Sequence, residues 1–181
     1  MDKFVARTKK IIIGHPEKKG VQIGPMISAK QRESVCRYID SGKAEGARLL
    51  CGGTRPGGAL AKGYYLTPAV FADTNTKMKI VQEEIFGPVL AVLPFKDEEE
   101  AIRLANDSPY GLSGSLWTRD VGRILRVTRA MQTGVISVNT STSVHLEAPF
   151  GGYKTSGLGR ELGLKALDLY SEVKNVFISS R

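Results

Sequence analysis

Phe4, Thr8 and Ile11 recur on one face of a helical repeat, and this pattern predicts a helix over residues 4–11. Gly14-His15-Pro16 breaks it, and a Lys/Gly loop leads to Gly24-Pro25-Met26-Ile27. Ser28 is placed to cap a long helix running to about Ala47, with Val35, Tyr38, Ile39 and Gly42 turned inward. Ala47 to Cys51 predicts a short strand closed by Gly52-Gly53. After a Gly/Pro-rich loop, extended structure resumes over residues 64–71.

Val89 to Phe95 predicts another strand, and Asp97 with Glu100 has capping-box spacing for a helix over residues 98–105. Tyr110-Gly111-Leu112 turns the chain into a strand over residues 114–118. Asp120 caps a helix whose stripe is Val121, Ile124, Leu125, Thr128 and Met131, ended by Gly134. Val135 to Asn139 reads as a buried strand. This alternation predicts an α/β fold, a largely parallel sheet with crossover helices. A helix and a strand-like tail, Ser171–Ser179, alternating Val173, Asn175 and Phe177, extend it at the C-terminal end.

Composition changes little. The 181 residues are 41% hydrophobic and 24% charged, ordinary for a globular domain. No apolar stretch approaches the roughly 18–20 residues of a membrane span. Met1-Asp2-Lys3-Phe4 carries no signal-peptide core, so a cytoplasmic protein with no membrane partner is expected. The net charge of +8 raises nucleic acid as a partner, yet the basic residues are scattered and no aromatic-interleaved basic motif appears. That argues against nucleic acid.

Several motifs that invite chemistry fail on inspection. Gly157-Leu158-Gly159-Arg160-Glu161-Leu162-Gly163 has leucine where a dinucleotide fingerprint needs glycine, and no strand precedes it. Gly152-Tyr153-Lys154-Thr155 is no phosphate loop. The two cysteines, Cys36 in a helix and Cys51 at a strand end, lack an activating histidine neighbour and read as structural thiols. Two histidines, His15 and His145, exclude a His-rich metal centre, and no metal site is expected. His145 follows a strand's C-terminal end, where α/β sites cluster, whereas His15 reads as a surface residue.

Three stretches carry more. They are Glu83-Glu84-Ile85-Phe86-Gly87-Pro88-Val89, the turn Asn106-Asp107-Ser108-Pro109-Tyr110-Gly111-Leu112, and the glycine-rich run Pro149–Gly163. With Gly24-Pro25-Met26-Ile27 and Ser171-Glu172-Val173-Lys174, they resemble the NAD(P)-dependent aldehyde dehydrogenase family, in that family's order and over nearly the whole chain. The resemblance implies that Glu84 accepts hydrogen bonds from both hydroxyls of the nicotinamide ribose of NAD or NADP. It implies that Phe86 packs on the nicotinamide side and that Phe150 lines the aldehyde pocket. It makes 171–179 an intersubunit strand of a homo-oligomer.

The resemblance is to the C-terminal part of the family's catalytic domain and its oligomerisation strand. The family's cysteine nucleophile, general-base glutamate and phosphate-holding domain lie in segments not matched here. Neither Cys36 nor Cys51 matches the nucleophile motif, so no catalytic residue is assigned. The expected organisation is a partial catalytic domain over 1–153, a glycine-rich crossover and helix over 154–170, and an oligomerisation strand over 171–181. The complete enzyme would oxidise an aldehyde to a carboxylic acid through a cysteine thioester. This chain alone is expected to be inactive and to bind cofactor weakly or not at all. The alternative is a non-catalytic oligomerisation or interaction module of the same fold.

Overall fold

The computed structural model describes residues 1–142 and 144–180; Ser143, in the His145 loop, and Arg181, at the end of the expected terminal segment, lie outside them. The chain divides into two compact units, Met1–Phe95 and Lys96–Arg181. In the first, α1 (Asp2–Thr8) precedes α2 (Ala29–Ala44), whose N-terminus is closed by Ser28 accepting from the Gln31 amide at 3.1 Å. A three-stranded sheet follows: β1 (Arg48–Cys51), β2 (Ala69–Ala72) and β3 (Val89–Ala91), with the short helix α3 (Lys79–Gln82) between the last two. β2 is central, antiparallel to β1 and parallel to β3. All four of its residues are buried, which is why Ala-Val-Phe-Ala is apolar on both faces.

The core of this unit gathers Val35 and Ile39 from α2, Leu66, Phe71 from β2, and Met78 and Ile80 around α3. Phe71 is fully enclosed, a burial that contributes about 1.5–3 kcal/mol. Gly42 lets α2 approach closely, since a methyl group there would meet Ile80 Cδ1 at 2.8 Å and Phe71 Cε1 at 3.3 Å. Arg48 and Asp73 pair across the sheet end at 2.7 Å.

The second unit begins with α4 (Glu98–Asn106), capped by Asp97 accepting from the Glu100 amide at 2.8 Å. Glu100 reaches back to the Lys96 amide, completing the reciprocal arrangement one residue earlier than the usual box. β5 (Ser113–Leu116), α5 (Val121–Ala130) and β6 (Val135–Val138) form a crossover unit whose strands pair in parallel. β4 (Tyr110–Gly111) pairs antiparallel with β7 (Tyr153–Lys154). A 3₁₀ segment, Leu164–Tyr170, leads to the tail.

The α/β class stands, with parallel segments β2–β3 and β5–β6; among the described residues the strands form three small sheets, and two of the four pairings are antiparallel. α5 also stops at Ala130, before the expected Gly134. The reason is a non-local cap: Asn106 donates to the Ala130 carbonyl at 2.9 Å and accepts from the Gln132 amide at 2.8 Å. Gly134 serves close packing instead, because any β-carbon there would overlap the Gly151 carbonyl oxygen. The helix expected within 154–170 is the 3₁₀ helix Leu164–Tyr170, which starts three residues after Glu161, and the described residues from 171 onward have no regular structure; they are exposed.

Candidate functional site

The expected cofactor residues sit on the loop between α3 and β3, and α2 shapes that loop. Gln31 donates through its side-chain amide to the carbonyl oxygens of both Ile85 and Phe86, each at 3.1 Å. Tyr38, further along the same helix, donates its hydroxyl to Glu83 Oε2 at 2.8 Å. Between them Val35 lies so close to Gly87 that an added β-carbon would meet its Cγ2 at 2.5 Å. Only glycine fits there. Past the loop, the Pro88 carbonyl accepts from the Ala69 amide and joins it to the sheet.

This grip offsets a local cost. Phe86 has φ +53, the left-handed region, which costs a non-glycine residue about 1–2 kcal/mol. The two Gln31 hydrogen bonds return a similar amount, about 0.5–1.5 kcal/mol each. The Phe86 ring is left 74% exposed.

The two adjacent carboxylates are thereby separated in role. Glu83 is held by Tyr38. Glu84 is exposed and has no hydrogen-bond or ion-pair partner among the described residues. It is an acceptor pair facing solvent beside an exposed aromatic ring. Gln31 carries no local signal for this role, because its partners lie 54 and 55 residues away.

Phe150 belongs to the second unit, where it is half-buried, and its N–H and C=O both pair with Glu161 at 2.7 Å. That bridge closes the glycine-rich run into a loop. Arg160 folds across it, donating to the carbonyls of Gly152 and Gly159 and stacking over Tyr153 at 5.3 Å, so it does not pair with its neighbour Glu161. Lys154 donates to the carbonyls of Asn106 and Ser108, and Ser156 Oγ accepts from the Gly111 amide. The two distinctive stretches of this unit are stitched together.

The remaining candidates take no part in such a constellation. Cys36 packs against the apolar core of the first unit. Cys51 lines an open cavity of about 250 Å³ with Thr8, Lys9, Thr54 and Thr67, and no histidine or carboxylate borders it. His15 and His145 are exposed. Among the described residues no group of three His, Cys, Asp or Glu side chains could hold a metal ion, and no helix is long and apolar enough to cross a membrane.

The first unit thus presents an unpartnered carboxylate and an exposed aromatic ring from a loop clamped by α2. The comparisons with known proteins give the family. The model of the aldehyde dehydrogenase family matches residues 1–176, and the chain belongs to that family. The betaine aldehyde dehydrogenase of Rhizobium etli is 48% identical over 178 residues, which is 98% of this chain and 37% of that protein. Among solved structures, HpcC from Thermus thermophilus is similar at 46% identity and a TM-score of 0.92, covering 96% of this chain and 34% of that one. A Mycobacterium tuberculosis aldehyde dehydrogenase complexed with NAD+ is similar at 46% identity and a TM-score of 0.89, covering 94% and 36%.

The chain thus spans little more than a third of the length of these relatives.

Proposed function

We propose that this chain supplies the nicotinamide-ribose contact and part of the aldehyde pocket of an NAD(P)-dependent aldehyde dehydrogenase. The observation that carries the reading is the unpartnered Glu84 carboxylate beside the exposed Phe86 ring on a loop held from behind by α2. A carboxylate offers two acceptor oxygens and suits a vicinal diol. An exposed aromatic face suits a flat heterocycle. The residues present fit that end of the cofactor and no more, since no phosphate-cradling motif is found in the sequence. NAD(P), when bound, supplies the hydride acceptor. Phe150 would form a wall of the pocket that receives the aldehyde.

In the complete enzyme the aldehyde is oxidised to a carboxylic acid through a cysteine thioester. On this reading the nucleophile, the general base and the phosphate contacts are supplied by parts of the complete enzyme other than this chain. Alone the chain is inactive and holds NAD weakly. A second reading, a non-catalytic oligomerisation module, draws on the exposed apolar tail carrying Val173, Val176, Phe177 and Ile178. Both readings use residues 171–179 as the contact between copies.

Calorimetric or saturation-transfer titration of NAD into the full chain tests the proposal. Weak binding that falls further in Glu84→Gln and Phe86→Ala supports it. A micromolar dissociation constant that Glu84→Gln leaves unchanged would reveal a different nucleotide site and overturn it.

A further inference from the structure

We infer that Gln31 and Tyr38 are positioning residues for Glu84 and Phe86: one face of α2 dictates the backbone of residues 83–87 and thereby selects which carboxylate meets the ligand. The functional meaning of this device rests on the proposed ribose contact of Glu84. Its geometry does not.

The segment is fixed at every position but one. Tyr38 takes the Glu83 carboxylate, Gln31 takes the carbonyls of Ile85 and Phe86, and Val35 closes against Gly87. Glu84 alone is skipped. Gln31, Val35 and Tyr38 fall on successive turns of α2, so a single rigid helix carries all three anchors. The left-handed φ of Phe86 turns the backbone so that the carbonyls of the two peptides flanking its α-carbon, those of Ile85 and Phe86, reach the same amide group. Both N–H bonds of Gln31 Nε2 are used in that grip, as is the Tyr38 hydroxyl proton. Neither side chain therefore has its donor left for a ligand. Their role is indirect, and it matters because a two-oxygen contact to a diol needs a carboxylate of fixed direction.

The test uses the full chain without cofactor and reads backbone ¹⁵N relaxation at residues 84–87. In the wild type these amides should show order parameters near the rigid value of about 0.85. Gln31→Ala and Tyr38→Phe should lower them toward about 0.6 or below, while the amides around Phe71 and Ile80 stay rigid. Gln31→Glu supplies a readout that a merely structural role would not move. Its ionised carboxylate has no donor for the two carbonyls, so the loop should be loose at neutral pH. Its protonated form carries one O–H, so order should return in part as the pH falls through the carboxyl range near about 4.3. Gln31→Ala should show no such recovery.

Unchanged order in Gln31→Ala and Tyr38→Phe, loosening spread through the core, or no recovery of Gln31→Glu on acidification would each overturn the inference. If the loop responds as expected but Glu84→Gln leaves NAD binding unaltered, the positioning stands and the ribose reading fails.

Discussion

The Lys154 ammonium nitrogen lies 2.6 Å from the carbonyl oxygen of Asn106 and 2.9 Å from that of Ser108, at the C-terminal end of α4. The last carbonyls of a helix have no partner within it, and a cation there complements the negative end of the helix dipole. The contact spans 48 residues and coincides with the pairing of Tyr110 with Lys154 in the β4–β7 ladder. Lys154 itself has φ +53, so a strained backbone position is held where the side chain can reach both carbonyls. The glycine-rich run is thereby anchored before its freer part begins.

Replacing Lys154 by Met should remove the charge and both hydrogen bonds while keeping much of the aliphatic stem. We expect a loss of about 1 kcal/mol, the size of an exposed charge-assisted contact. Urea denaturation followed through Trp117, the single tryptophan and a member of this unit, measures it. An unchanged midpoint would show that the β4–β7 ladder alone holds the run.

Glu98 provides a pH-dependent contribution. Hydrogen bonds from Arg126 above all, and from Arg123, pull the pKa of its carboxyl down to about 2 from an ordinary value of 4.5, against the opposing effect of desolvation. The shift is downward, so the folded state binds its proton less readily than the unfolded chain. The stabilisation is therefore full above the unfolded value near pH 4.5 and is lost as pH falls toward about 2. The stability difference between the wild type and Glu98→Gln should be constant above about pH 5 and shrink below it. Urea midpoints across that range decide the point, and a difference that persists undiminished to pH 2 would assign the effect to packing.

What the sequence makes legible is what is local. Ser28, Asp97 and Asp120 each cap the helix that follows because the acceptor and the amide lie within one turn. The buried positions Val35, Ile39 and Gly42 follow from helical periodicity. Non-local relations leave no such trace. Gln31 holding the Phe86 loop, and Asn106 ending α5 before Gly134, depend on partners dozens of residues away. The site residues came from a family resemblance and not from their own spacing, since an exposed Glu-Glu pair in a turn is by itself ordinary. The helix expected after Arg160-Glu161 starts only at Leu164, as a 3₁₀ helix, because Glu161 is drawn back to pair with Phe150.

The proposed function implies that the isolated chain does not oxidise aldehydes. Neither cysteine meets a base: Cys36 sits against the core, and the cavity beside Cys51 is bordered by threonines and a lysine. Loss of a nucleophile lowers turnover on the order of 10⁶-fold in a comparable covalent mechanism. Assays of NAD and NADP reduction at high protein concentration, with several aldehydes, should therefore give no signal. Turnover that Cys36→Ala or Cys51→Ala abolishes would make that cysteine the nucleophile.

The tail carries the last prediction. Val173, Val176, Phe177 and Ile178 are all exposed, and the backbone amides of residues 172–180 donate to no carbonyl among the described residues. An extended apolar segment with free backbone groups is a template for pairing with another chain. Adding it to an exposed sheet edge of a second copy would satisfy the donors and cover the side chains together, with the symmetry of a closed pair. Burying Phe177 and Ile178 alone would contribute about 1.5–3 kcal/mol each, enough to favour association at micromolar protein once the cost of pairing is set against several such contacts. We expect at least a dimer for the full chain and a smaller species for a chain ending at Tyr170. Light scattering on both distinguishes the outcomes: a stable monomer in each case would mean that residues 171–179 do not join copies of this chain.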